Sequence, residues 1–261
     1  MAESKLATDK DPHFIGWLPM PRAYARLLTP ITVTVIVVIM IAAGIVAKGH
    51  PSPGPGEWVD DHATTLEGIF YVVPYPMIRV PGPSIGDPPE TVLIVGEGKH
   101  GVADRTHPFD GRPVRVFGTV LQRDGRRMLE LASTEDAIRP VELPDSRITT
   151  LRRSAPIPLG RVTLHGEIVD AKCYLGAMRP GTGVTHRGCA ALCLKGGIPP
   201  LFVARNARAG PTTYLPVSES FGPMPEDLFD LAGRPVAVDA DVERCDDVFV
   251  IRLVRERVHF D

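Results

Sequence analysis

The sequence predicts a mainly β protein, with one N-terminal transmembrane helix followed by two five-stranded barrels in tandem. Three observations support this fold class. The 261 residues include 27 prolines and 25 glycines, a composition that suits short strands joined by many turns. Residues 27–47 carry no charge, and the sequence after them contains the same pattern twice.

The uncharged segment 27–47 predicts a membrane-spanning helix. It reads LLTPITVTVIVVIMIAAGIVA, which at about 1.5 Å per residue is long enough to cross a bilayer core of about 30 Å. The alternative is a cleaved signal peptide, whose apolar region usually has about 7–15 residues and ends at a small-residue cleavage site. Because this segment is longer and the following VAKGHPSP is a poor cleavage site, we expect an uncleaved anchor.

The charges beside this segment predict its orientation. Only Lys48 follows the span closely, whereas four basic residues precede it: Lys5, Lys10, Arg22 and Arg26. The positive-inside rule therefore places the leader 1–26 in the cytoplasm and the chain after the span outside. Residues 48–56 are rich in proline and glycine and predict a linker.

The internal repeat predicts two small domains, 57–147 and 148–261. GRPVRV at 111–116 recurs as GRPVAV at 233–238, and apolar positions on either side match at the same offset. Each copy reads as five short strands with β-branched residues. In the first copy we expect these strands near residues 65–73, 77–80, 91–95, 114–121 and 127–132.

A short helix is predicted at 225–231, after the third strand of the second copy, with Gly233 just beyond its end. Five strands with a short helix after the third is the pattern of the OB-fold, a Greek-key barrel. The sequence therefore predicts two OB-fold-like barrels. Two other small barrels or one continuous sandwich are the alternatives.

The second copy carries an insertion, 172–198, between its first and second strands. That loop and the loop between strands four and five flank the usual ligand face of an OB-fold. The insertion holds Cys173, Met178, His186, Cys189 and Cys193, and Cys245 falls in the turn between strands four and five. All four cysteines therefore belong to the ligand-side loops of the second barrel.

The spacing within the insertion predicts a metal site. If Thr185 caps a short helix, then His186, Cys189 and Cys193 are spaced i, i+3, i+7 and share one face. Cys173, from the end of the first strand, would complete the ligand set. Three thiolates and an imidazole suit zinc, copper(I) or an iron–sulfur centre. Further candidates as ligands are Met178, whose thioether suits copper, and Cys245.

Disulfides are the alternative interpretation, because an even number of cysteines outside the cytoplasm favours them. On a helix, the Cβ atoms of Cys189 and Cys193 would lie about 5–6 Å apart, beyond the roughly 3.5–4.5 Å of a disulfide. Each would then pair with Cys173 or Cys245. The sequence leaves both interpretations open.

Other functional classes find little support. The net charge of -2 leaves no basic excess for nucleic acid. GEGKHG at 96–101 matches G-x-G-x-x-G, but Pro108 follows and we expect a strand next, which argues against a nucleotide site. No catalytic residues stand out, so an enzyme in its own right is a third and weaker alternative. Four acids are expected on solvated strand faces: Glu167, Asp170, Glu219 and Asp241.

The run 166–203 contains KCYLGAM, THRGCAALC and GGIPP. It resembles a fingerprint of membrane-anchored bacterial envelope proteins that carry no assigned activity. The resemblance implies a bacterial envelope location. Together with the span and its flanking charges, it leads us to expect an inner-membrane anchor with the barrels in the periplasm or outside. The expected function is an accessory or assembly subunit of a membrane-bound redox or metalloenzyme complex. The alternative is a non-catalytic module that binds envelope glycan or protein and uses its cysteines as structural disulfides.

Overall fold

The computed structural model describes residues 22–49, 56–59, 63–84, 86–205 and 212–261. The chain divides into two units, 1–52 and 53–261. The first contains helix α1 (Arg22–Gly49), of which Tyr24–Lys48 is long and apolar enough to cross a membrane, with a mean hydropathy of 2.6. Most of the predicted leader 1–26 and of the linker 48–56 lies outside the described residues.

The first barrel contains all five strands predicted for the first copy. Strands β2, β3, β4, β6 and β5 pair in that order, and β5 pairs back to β2, which closes the barrel. Two short strands, β1 and β7, pair antiparallel with β5, and helix α2 follows β4. The elements are β1 (Glu57–Trp58), β2 (Thr64–Tyr71), β3 (Met77–Val80), β4 (Glu90–Val95), α2 (Ala103–Thr106), β5 (Pro113–Arg123), β6 (Arg126–Leu131) and β7 (Ile138–Pro140).

The second barrel follows helix α3 (Asp145–Leu151) and closes in the same way. Strands β8, β9, β10, β12 and β11 pair in that order, and β11 pairs back to β8, which closes the barrel. The short strand β13 pairs antiparallel with β11. The predicted helix at 225–231 is a 3-10 helix, Glu226–Leu231. The strands are β8 (Ile157–Asp170), β9 (Pro200–Ala204), β10 (Thr213–Val217), β11 (Pro235–Cys245), β12 (Val248–Arg252) and β13 (Val258–Phe260).

The strand pairing confirms the two OB-fold-like barrels. In each barrel the third and fifth strands are parallel and the other pairs are antiparallel, as between β4 and β6 and between β10 and β12. The repeat extends to single backbone angles. Gly111 and Gly233, at the same place in the GRPV motif, have φ angles of 70° and 69°. Asp124 and Asp246, in the turns between strands four and five, have φ angles of 50° and 58°.

The buried side chains form three clusters. One fills the first barrel and one fills the second. The third lies between the barrels and takes residues from both. Because side chains alternate along a strand, β3 sends Ile78 into its own barrel and the preceding Met77 toward the second barrel. Leu201 and Leu215, on β9 and β10, meet it from the other side.

Polar contacts reinforce this interface between the barrels. Tyr75 donates its hydroxyl hydrogen to Pro216 O at 2.7 Å and accepts the Met224 N–H at 2.8 Å. Asp247 accepts hydrogen bonds from Arg79 at 3.1 Å and from the Thr91 hydroxyl at 2.6 Å. Strands two and three of an OB-fold normally carry its ligand face. Here each barrel covers that face of the other.

Candidate metal centre

The insertion lies where the sequence predicts it, between β8 and β9, and folds into three short helical pieces. They are a π-helical turn (Cys173–Ala177), a 3-10 turn (Val184–His186) and helix α4 (Arg187–Lys195). The prediction that Thr185 caps the helix is wrong, because this residue lies within the 3-10 turn and His186 occupies the cap position. No side chain caps α4.

Helix α4 is held in place by both neighbouring cores. Ala190 and Leu194 pack into the core of the second barrel, while Cys193 belongs to the cluster between the barrels. Residues four apart lie on the same helix face, so Cys189 is directed to the same side as Cys193. Cys173 reaches that side from the turn after β8.

The structure places four of the predicted ligands in two groups that share Cys173. Atoms of Cys173, His186 and Cys189 that could bind a metal lie within 4.8 Å of one another, and those of Asp170, Cys173 and Cys193 form a second such group. Cys173 belongs to both groups. Cys173, Cys193 and His186 are buried, whereas Cys189 is half-buried.

The sulfur spacing suits a shared ion better than a covalent bond. Cys173 Sγ and Cys189 Sγ lie 3.9 Å apart. A tetrahedral zinc with bonds of about 2.3 Å to sulfur separates its sulfurs by about 3.8 Å, whereas a disulfide needs about 2.05 Å. All four cysteines lie in the described part of the chain, and all four are free thiols.

Asp170 connects two members of the cluster. Its Oδ2 lies 2.8 Å from His186 Nε2, and its Oδ1 accepts the Cys173 N–H at 2.8 Å. The expectation that Asp170 lies on a solvated strand face is wrong, because it ends β8 and is fully buried. A metal-bound histidine usually donates its second ring N–H to such a carboxylate. With Nε2 engaged, the Nδ1 atom of His186 remains to bind an ion.

Glu167 also departs from that expectation. It accepts the Gly183 N–H at 2.8 Å, and burial raises the pKa of its carboxyl group. It therefore ties β8 to the start of the 3-10 turn that carries His186. Glu219 is exposed and Asp241 is partly exposed, as expected.

Lys99, from the first barrel, was not predicted to belong to this cluster. Its Nζ donates to Cys189 Sγ at 2.7 Å and to Cys193 Sγ at 3.5 Å. The hydrogen bond to Cys189 raises the pKa of Lys99. A hydrogen bond from Cys173, with a smaller contribution from the charge of Lys99, lowers the pKa of Cys193 to about 7. The cluster therefore favours a thiolate at Cys193, which is the form that binds metals.

Close backbone packing brings the 96–101 loop to the insertion. The Gly101 N–H donates to Gly196 O at 2.7 Å. A Cβ atom on Gly196 would lie 1.8 Å from Lys99 O, and one on Gly101 would lie 2.4 Å from Gly197 O. Gly101 and Gly196 therefore permit a backbone contact that a side chain at either position would prevent. This contact accounts for the last glycine of the GEGKHG stretch.

The remaining candidate ligands lie elsewhere. Met178 is at the surface, 43% exposed. Cys245 ends β11 and packs in the cluster between the barrels, outside both groups of metal-binding atoms. Burial raises the pKa of its thiol, which keeps it protonated. Neither Met178 nor Cys245 therefore belongs to the groups formed by the other four predicted ligands.

Comparisons of the chain with protein-family models, curated proteins and solved structures find no match. The OB-fold hosts many unrelated functions, so the fold alone assigns none. The convergent cysteines, His186 and their neighbours are the features that bear on function.

Proposed function

We propose that the protein is a membrane-anchored extracytoplasmic subunit that holds one soft transition-metal ion in its second barrel. The ligands are Cys173, Cys189, Cys193 and His186. The observation that carries the proposal is the close approach of Cys173, Cys189 and His186, within 4.8 Å, with the buried Asp170 carboxylate behind the histidine.

The ligand types point to zinc or copper(I). Thiolate and imidazole ligands suit these ions, whereas magnesium, calcium and manganese prefer oxygen. With bonds of about 2.0–2.3 Å, the ligands of a single ion lie within about 4.6 Å of one another. The ligand atoms of each group lie within 4.8 Å of one another, which is compatible with a single ion.

The burial of the ligands supports a structural or carrier role rather than catalysis. Catalytic metal sites keep one coordination position open, whereas structural sites are closed by four protein ligands. Here Cys173, Cys193 and His186 are buried and Cys189 is half-buried. This arrangement favours an accessory or assembly subunit of a redox or metalloenzyme complex. The charges beside α1 support an orientation with its N-terminus in the cytoplasm and both barrels outside.

The rival proposal is a module that binds envelope glycan or protein through the barrel faces, with the cysteines as disulfide braces. It has less support. The usual ligand faces pack against each other through Met77, Leu201, Leu215 and their neighbours. The four cysteines are free thiols.

Elemental analysis of the full chain, purified in detergent without oxygen, tests the proposal. We expect about one zinc or copper ion per chain, together with thiols that react only after the metal is removed. His186→Ala should lose most of the metal, because imidazole is itself a ligand. A metal-free wild-type protein whose thiols are all oxidised would support the rival instead.

A further inference from the structure

We propose that Lys99, from the first barrel, is a positioning residue of the metal centre. It donates hydrogen bonds to the ligand sulfurs and covers the one ligand that is half-exposed. The inference rests on the proposed metal site and adds a role for the first barrel, which contains no cysteine.

The contacts of Lys99 are specific. Its ammonium lies 2.7 Å from Cys189 Sγ and 3.5 Å from Cys193 Sγ. An ammonium has three donors and no acceptor, so one lysine can serve both sulfurs. The side chain is only half-buried, yet its charged end is directed at the cluster rather than into solvent.

A second lysine holds the loop that carries Lys99. Lys172 Nζ donates to Gly96 O at 2.8 Å and to Gly98 O at 2.7 Å, and it forms an ion pair with Glu130. These three partners use all three of its donors. Lys172 is buried. It holds the loop in place and donates no hydrogen bond to the cysteine sulfurs.

The equivalent loop of the second barrel shows that this lysine is not required by the turn itself. Gly96 N donates to His100 O at 2.8 Å, and at the matching positions Ser218 N donates to Gly222 O at 3.0 Å. The same hydrogen bond closes the turn in both copies, although the positive φ angle falls at Gly98 in the first and at Phe221 in the second. Phe221 stands at the position that corresponds to Lys99. The lysine therefore occurs only in the copy that faces the thiols.

The physical effect of such a residue is predictable. Three thiolates and one divalent ion leave a net negative charge, which a nearby ammonium offsets. Outer-shell partners that hydrogen-bond to metal ligands typically contribute about 10–100-fold in affinity. Because Lys99 also covers Cys189, it should slow the approach of competing ligands to the ion.

The test compares Lys99→Met, Lys99→Arg and Lys195→Met in the full chain in detergent. Lys195 is an exposed residue of the last turn of α4 and serves as the matched control for loss of one positive charge. Each protein is loaded with Co²⁺ for spectroscopy and with Zn²⁺ for competition against a chromophoric chelator. A wild-type chain that binds neither ion would refute the metal site itself, independently of Lys99.

We expect Lys99→Met to lower the zinc affinity about 10–100-fold, to speed metal removal by the chelator, and to shift the sulfur-to-cobalt charge-transfer band. Lys99→Arg should restore most of the affinity, and Lys195→Met should resemble the wild type. Wild-type affinity and spectrum in Lys99→Met would overturn the inference. If Lys99→Met fails to fold, Lys99→Gln replaces it, and its zinc affinity should also fall below that of Lys99→Arg. A zinc affinity of Lys99→Gln equal to that of Lys99→Arg would show that the positive charge is not needed and would overturn the inference.

Discussion

The two barrels share one topology and differ most in the connection between their first two strands. In the first barrel this connection is residues 72–76, between β2 and β3. In the second it is residues 171–199, between β8 and β9. The longer connection holds every residue of the two converging groups except Asp170. The same scaffold therefore carries a tight loop in one copy and a candidate metal centre in the other.

The comparison also shows that the barrels contribute different parts to one site. The second barrel supplies the cysteines and His186, while the first supplies Lys99 from a glycine-rich loop. Both contribute apolar residues to the cluster between them. A fold that usually binds ligands on its outer face here uses that face to join two copies, and the site lies beside the junction.

The largest expected effect comes from removing the ligand that both groups share. Cys173→Ser should abolish stoichiometric metal binding, because Cys173 belongs to both sets of converging atoms. Cys245→Ser is the matched control, since Cys245 is buried but lies outside both groups. Metal content measured on the two variants should differ by nearly one ion per chain. Equal metal loss in both would mean that Cys245 is a ligand after all.

The local features of this centre could be predicted from the sequence. Spacing places His186, Cys189 and Cys193 on one side of a short helical segment, and the repeat shows where the insertion enters the barrel. Lys99 and Asp170 could not be placed in this way. Lys99 is 90 positions away from Cys189, and its role depends on how two barrels pack, which local spacing does not encode.

The contact between the two barrels is, however, indicated by the sequence of the third strand of each barrel. The stretches TVLIV at 91–95 and TYLPV at 213–217 do not alternate between apolar and polar residues. A continuous apolar run indicates a strand that is buried on both faces. In the structure, Val92 and Ile94 fill the first barrel while Leu93 and Val95 lie in the cluster between the barrels.

A second prediction tests whether the barrels are one cooperative unit. Met77 and Ile78 are neighbours on β3, and both are almost fully buried, Met77 by the other barrel and Ile78 by its own. Met77→Ala and Ile78→Ala should each lower the free energy of unfolding by about 2–5 kcal/mol. Chemical denaturation of the full chain, followed by circular dichroism, measures both. If the barrels separate readily, Met77→Ala should instead cost less than about 0.5 kcal/mol, as at an exposed site.

The smallest expected effect compares the same glycine in the two copies. Gly111 and Gly233 have nearly identical positive φ angles, so an alanine at either position should cost about 1–2 kcal/mol of backbone strain. Their surroundings differ. Nothing lies within 4 Å of a Cβ on Gly111, whereas a Cβ on Gly233 would lie 2.8 Å from Gly183 O and 3.0 Å from Arg187 Cα, both in the insertion.

Gly233→Ala should therefore destabilise the protein by about 1–3 kcal/mol more than Gly111→Ala, the usual cost of overpacking. It should also disturb the metal centre, because Gly183 and Arg187 lie on either side of the 3-10 turn that ends at His186. Thermal unfolding and metal affinity measured on both variants check the two parts. Equal destabilisation with unchanged metal affinity would show that the insertion can shift to make room for the new methyl group. Packing of the segment before β11 against the insertion would then not be needed to hold His186 in place.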